Sequence, residues 1–257
     1  MDEVINSFNK EYGIKPIFGG VYTDKSVKKM CEEVDLFMDN GIHAYLEPLR
    51  FRNNSNYFSE DLNAIEEVLD YISNMTSSKT KLDVTTSKLG VNFLFKPDVS
   101  YALANKYGLS FVINDALIGE YLPKDGCGDK NNKLIKASAN NFSNINLFAG
   151  ITPGYLINQT TDDQWSYEMQ KLNATANIIL IGNRPNQNAL EQIIDLKQNS
   201  QITKPLIAAQ GVNVKTIAEF LMHADGVFIG SGFRYNGEIS LDILNEIKAL
   251  QKQIINS

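Results

Sequence analysis

The 257-residue chain has little of what most reaction chemistries recruit: two cysteines, Cys31 and Cys127, two histidines, His43 and His223, and one tryptophan, Trp165. Two cysteines make no disulfide framework, and neither residue type recurs at metal-ligand spacing, so no metal site is expected. His43 opens an apolar run and His223 closes a helical one, which leaves no Ser/His/Asp constellation and assigns both histidines structural roles. Cys127 lies between glycines with no histidine placed to activate it. No window approaches the roughly 18 apolar residues of a membrane span. The segment Met1-Asp-Glu-Val-Ile5 has no basic stretch leading into an apolar core. A cytoplasmic protein without a membrane partner is the expectation. Basic clusters are missing too: Lys28-Lys29 sits on a predicted helix, and the net charge of −6 opposes a polyanion, so no nucleic acid polymer is expected as a partner.

What the chain does have is an ordinary globular composition, 43% hydrophobic and 21% charged, which suffices for a sizeable core. Short β-prone runs alternate with segments of helical period, the pattern of parallel strands joined by crossover helices. The strands are expected at 16–22, 42–48, 89–95, 109–114, 145–151, 177–182, 205–210 and 226–230. Asp24 is a plausible N-cap for the first helix, which ends at Asn40-Gly41. Pro97 opens a later helix and Gly108 closes it. A long loop follows Asn114, with a weak helix predicted over 130–144, and the final helix is predicted over 241–255. Eight strand and helix pairs without a Pro/Ser-rich linker predict one (β/α)8 barrel domain over residues 1–257, with an open doubly wound sheet as the alternative.

In such a barrel the ligand site forms where strand C-terminal ends meet their loops. The polar residues predicted there are Glu47, Asn92, Asn114, Asp115, Thr152, Asn183, Gln210 and Ser231. Glu47 is the candidate acid or base, because a carboxylate ending an apolar strand is partly desolvated; its structural alternative is a pair with Arg50 or Arg52. Asn92, Asn114 and Asp115 are candidates to position a sugar, with an Asx turn as the bland reading of Asn114-Asp115. Gln210-Gly211 after strand seven and Gly230-Ser231 after strand eight carry the strongest local signal: backbone N–H groups in glycine turns that can cradle a phosphate, although glycines also serve plain tight turns. Tyr155 and Trp165 are candidates for stacking or for packing beneath a loop. Asp98 and Asp115 are weak candidates for a divalent cation.

The run from Pro205 through Ile-Ala-Ala-Gln-Gly-Val-Asn to Gly-Ser-Gly-Phe-Arg-Tyr-Asn-Gly237 resembles the C-terminal signature of the BtpA family, barrel proteins named for a photosystem I assembly factor. Leu89-Gly-Val-Asn-Phe-Leu-Phe-Lys-Pro-Asp98 and Phe111-Val-Ile-Asn114 are similar to its middle strands. The resemblance covers roughly residues 15–255 and implies a phosphate-binding TIM barrel. Val21-Tyr-Thr-Asp24 stands where the family usually shows His-Leu-Pro-Pro, and Glu47-Pro48 where it shows Glu-Asn. Members are described as assembly factors and as enzymes resembling nucleosidases or phosphosugar isomerases, so the resemblance implies no single reaction. The expectation is an enzyme acting on a phosphorylated sugar or nucleotide, with an N-glycosidic (ribosyl) bond as the first chemistry to test and no cofactor. The alternative is a non-catalytic barrel that senses a ligand or assists assembly. Self-association is left open.

Overall fold

The computed structural model describes residues 2–50, 55–77, 89–93, 96–114, 145–151, 162–184, 186–198 and 202–257. Eight parallel strands close into a barrel in chain order: β1 Ile17–Tyr22, β2 His43–Glu47, β3 Leu89–Val91, β4 Phe111–Asn114, β5 Asn146–Ile151, β6 Ile178–Ile181, β7 Leu206–Ala208 and β8 Gly226–Ile229. Closure is direct, since Ile17, Phe18 and Gly19 of β1 pair with Val227, Phe228 and Ile229 of β8. This is a (β/α)8 TIM barrel, and the open-sheet alternative falls. The predicted weak helix over 130–144 lies outside the described residues.

Helices α2 Val27–Asp39, α3 Phe58–Ser77, α4 Pro97–Tyr107, α5 Asp162–Thr175, α6 Ala189–Gln198, α7 Ile217–His223 and α8 Leu241–Ile255 surround the sheet. Gly108 caps α4 in the left-handed region, φ 67°, which glycine enters without Cβ strain. The cap of α2 is a correction: Ser26, not Asp24, is the N-cap, its hydroxyl accepting from Lys29 N at 3.3 Å. The helix therefore begins two residues later than an Asp24 cap implies, which leaves Asp24 and Lys25 in the loop above β1.

One further helix lies outside the eight predicted pairs. α1, Asp2–Tyr12, precedes β1 and presses Phe8 and Tyr12 into the N-terminal end of the barrel. Strand alternation turns Phe18, Phe111, Phe148 and Phe228 inward there. Phe18 stacks on Phe228 at 4.7 Å and Phe111 on Phe148 at 4.6 Å, while Tyr12 meets Phe18, Phe111 and Phe148 at 5.5–6.1 Å between ring centroids. His43 belongs to this layer, with Nε2 2.8 Å from Tyr12 O and its ring stacked on Phe18. It sits at the end of the barrel away from the mouth, as its place at the start of β2 predicts. Valine, leucine and isoleucine of the opposite strand faces pack outward against the helices in a second, larger core.

Truncating Phe8, which is buried, to alanine should cost about 3 kcal/mol or more in urea unfolding; a loss below about 1 kcal/mol would contradict the plug assigned to α1. Burial pushes the Cys31 thiol up to about 11, with the Asp35 charge adding to the effect. The reactive thiolate is then scarce at pH 8. Peptide mapping after iodoacetamide treatment at pH 8 should find Cys31 unmodified in folded protein and modified in urea. Equal labelling in both would show that the site opens in the native state.

Candidate functional site

At the C-terminal end of the barrel the rings give way to smaller side chains, and a cavity of about 550 Å³ opens above them. Ile113, Leu180, Ala209 and Phe228 form its apolar floor, and Gly150, Gly182 and Gly230 add no bulk at the level above. Register decides which strand-end residues face in. Tyr22 pairs with Glu47, and Gly20 with Tyr45, and Tyr22, Tyr45 and Glu47 all line the cavity.

Glu47 is 5% exposed at the end of β2, its carbonyl accepting from Thr23 N at 3.2 Å. Asn92, 2% exposed, lies beside it, held by its backbone N–H to Leu46 O at 2.9 Å. The two therefore form one polar wall. Arg50, the expected structural partner of Glu47, directs Nε to Asp61 at 2.6 Å and Nη1 towards Glu60 at 3.8 Å. Arg52 lies outside the described residues.

The opposite wall is built of glycine turns. Gly211 has φ +79°, a conformation that strains any residue with a Cβ. Thr216 Oγ1 donates to Gly211 O at 2.8 Å and accepts from Asn213 N at 3.0 Å, which fixes the turn after β7. A Cβ on Gly232 would stand 2.6 Å from Val212 O, so this glycine lets the turn after β8 pack against the turn after β7. Gln210 Oε1 accepts from Asn183 N at 2.8 Å, which leaves its NH2 as the group able to meet a ligand. Asn183 in turn accepts from Ala189 N at 2.9 Å, a loop-bracing role. Gln210, Gly211, Gly230 and Ser231 all line the cavity that Glu47 and Asn92 line.

Two cations that sequence reasoning passed over stand between these walls. Lys25, in the loop after β1, and Arg234 both line the cavity and both pair with Glu33 of α2, which is 2% exposed. Arg234 reaches Glu33 Oε1 at 2.6 Å and Oε2 at 2.8 Å, and also Gly20 O at 2.8 Å. Burial alone would lower the Arg234 guanidinium, but the hydrogen bonds and charge of Glu33 hold it above its ordinary value. Arg234 begins a two-stranded ribbon, β9 Arg234–Tyr235 and β10 Glu238–Ile239, turned by Asn236 and Gly237 at φ 50° and 83°. The Asn-Gly pair is the hairpin signal that would have located it.

Asn114 departs from expectation. It pairs with Ala149, which with Val112 belongs to the outer core, whereas Ile113 faces the cavity. It therefore stands on the helix-facing side of β4, away from Glu47 and Asn92. Asp115, Thr152, Cys127 and Tyr155 lie outside the described residues. Trp165 packs against the outer core, with the Arg184 guanidinium 4.8 Å from its ring centroid. Among the described residues no group of three or more His, Cys, Asp and Glu side chains is arranged to hold a metal, and no helix is long and apolar enough to cross a membrane.

No curated protein matches the chain in sequence. Solved structures match it in fold. The tryptophan synthase alpha subunit from Legionella pneumophila is 13% identical, with a TM-score of 0.62 over 98% of each chain. Thiamine phosphate pyrophosphorylase from Pyrococcus furiosus is 11% identical, with a TM-score of 0.56 over 94% of this chain and 97% of that one. Phosphoribosylanthranilate isomerase from Thermotoga maritima is 12% identical, with a TM-score of 0.55 over 92% of this chain and 98% of that one. At such identity these likenesses establish the barrel and nothing finer. The profile of the BtpA family matches residues 55–256, and with most of its length so matched, the chain belongs to the BtpA family.

Proposed function

We propose that this protein is an enzyme acting on a phosphorylated sugar or nucleotide. The observation that carries the reading is one cavity of about 550 Å³ with a buried carboxylate and amide, Glu47 and Asn92, on one wall and glycine turns, Gly211 and Gly230-Ser231, on the other. A phosphoryl group fits the second wall. Backbone N–H groups in glycine turns are fixed donors, and the turns after strands seven and eight are where barrels of this class commonly hold phosphate. The Gln210 NH2 adds a neutral donor. Two of the fold relatives carry phosphorylated compounds in their names, thiamine phosphate pyrophosphorylase and phosphoribosylanthranilate isomerase, in agreement with this assignment.

With phosphate held there, the remainder of the ligand extends over the apolar floor towards Glu47. Cleavage or transfer at an N-glycosidic bond is the chemistry we assign first, because a carboxylate acting as acid or base and an amide orienting the sugar are what such a step asks of the protein. Asn92 supplies the amide; Asn114, on the outer face, does not. Asp115 keeps its proposed sugar-positioning role from its place in the sequence directly after β4. Phosphosugar isomerisation would use the same carboxylate to move a proton.

A second reading, a non-catalytic barrel that senses its ligand or assists an assembly, rests on the end of β1, where Val21-Tyr-Thr-Asp24 replaces the family's usual His-Leu-Pro-Pro.

Thermal-shift screening against phosphate, ribose 5-phosphate, nucleotides and nicotinamide nucleotides should raise the melting temperature by several degrees for a phosphorylated ligand. At 100 times Kd, binding stabilises the fold by about 2.7 kcal/mol. A Gly230→Asp variant should lose that shift; its retention would remove phosphate from the β8 turn. Once a turned-over ligand is known, Glu47→Gln should lower kcat by about 10²–10⁴ while leaving phosphate affinity nearly intact. Unchanged kcat would end the acid–base role of Glu47, and a ligand bound without turnover would favour the sensing barrel.

A further inference from the structure

The cavity contains a hydroxyl group that neither the strand-end inventory nor the glycine turns account for. Tyr22 ends β1 in register with Glu47 and is half-buried. It folds back over its own strand and towards β8. Its hydroxyl oxygen lies 2.6 Å from the point that a Cβ on Gly20 would occupy and 2.5 Å from the corresponding point on Gly230. The Tyr45 hydroxyl lies 2.8 Å from the same point above Gly20. Two phenol oxygens thus converge on space that β1 leaves empty by having glycine there, and one of them reaches the turn after β8.

The ring is fixed from the other side. The Arg234 guanidinium lies 5.3 Å from the Tyr22 ring centroid and is itself held by Glu33 and Gly20 O. A tyrosine gripped by a cation, with its hydroxyl lodged between two glycines, has little rotamer freedom left to lose on binding. Its O–H is therefore a preorganised donor or acceptor at the edge of the cavity wall formed by Gly230 and Ser231.

We infer that Tyr22 is a ligand contact, its hydroxyl donating a hydrogen bond to a phosphoryl oxygen held at the Gly230-Ser231 turn. The inference rests on the phosphate reading above and adds a hydroxyl from β1 to the backbone N–H groups and the Gln210 NH2. A neutral O–H suits an anion here because it adds no charge to be desolvated, and charge-assisted hydrogen bonds of this kind are the stronger ones. Tyr22 also spans the site, since its backbone is the register partner of Glu47 while its hydroxyl abuts Gly230.

The test measures affinity for inorganic phosphate and for ribose 5-phosphate by calorimetry, on the wild type, Tyr22→Phe and Gly230→Asp. Circular dichroism and melting temperature serve as folding controls. Loss of the hydroxyl alone should weaken both ligands about tenfold, the scale of one hydrogen bond to a charged group, without changing the fold. If Gly230→Asp abolishes binding while Tyr22→Phe binds both ligands as the wild type does, the role of Tyr22 is overturned and the phosphate site stands. Weakening of ribose 5-phosphate alone would place the hydroxyl on the sugar and overturn its assignment to the phosphoryl group. A wild type that binds neither ligand overturns both readings.

Discussion

The structure depends on how a closed eight-stranded barrel fills its interior. Such a barrel is just wide enough for side chains to meet across it, so each inward position must be matched in size to its neighbours. Here rings and glycines sit side by side on adjacent strands, with rings concentrated at the N-terminal end and glycines more frequent towards the mouth. Gly90 is inward because Phe111 occupies the space its side chain would need: a ring carbon of Phe111 lies 2.1 Å from where a Cβ on Gly90 would stand. Gly20 makes room for two tyrosines in the same way. Large beside small at adjacent strands lets the rings fit across the barrel. The resulting aromatic floor, sealed from below by α1, gives the mouth a rigid base, and Glu47 and Asn92 stand directly on the strands and their ends, where positional precision is greatest.

A second constraint is the seam between first and last strands. Only three residue pairs join β1 to β8. Arg234 reinforces the seam by reaching from the ribbon after β8 to Gly20 O in β1 and to Glu33 in α2, a hydrogen bond across 201 positions of sequence. Glu33 is too deeply buried for an uncompensated charge, and both Lys25 and Arg234 hold it. The late start of α2 contributes to this arrangement. With Ser26 as the cap, Lys25 remains in the loop and can reach Glu33 and Gly237 O, tying the ribbon down a second time.

The strands, their order and the bounds of α4 and α8 are legible in the sequence because apolar runs, helical periodicity, Pro97 and Gly108 are local signals with local causes. Inward and outward faces are not. A parallel strand covered on both sides is apolar on both, so Phe-Val-Ile-Asn at β4 shows no alternation to reveal that Asn114 faces the helices while Ile113 faces the cavity. Glu47 and Asn92 stand out because they are polar residues at the ends of such runs, and the glycines because two polar-glycine turns close the last two strands. Tyr22 is hidden for the opposite reason: an aromatic residue in an apolar strand reads as core, and only the positions of Gly20 and Gly230 reveal its hydroxyl. α1 has helical spacing, with Val4, Ile5, Phe8 and Tyr12 as its apolar residues, but it precedes the first recognisable strand and so falls outside the repeating strand and helix pattern.

The net charge of −6 is of the wrong sign to attract the proposed ligand, but its effect is limited by range. At physiological ionic strength exposed charges are screened beyond about 8 Å, so carboxylates scattered over the outer helices contribute little inside the mouth. What acts on an anion there is the cavity wall itself. Lys25 and Arg234 share one buried carboxylate, Glu33, and Asp24 lines the same side of the cavity, so the cluster by the β1 and β8 loops is balanced in formal charge, with Glu47 next to it on β2. The fixed donors of the glycine turns after β7 and β8 then give the proposed phosphorylated ligand its direction. Its anionic end is drawn to those turns, so the uncharged remainder meets Glu47. An overall acidic protein can therefore orient an anion, provided that the donors are fixed dipoles and the charges that matter are few, close and partly buried.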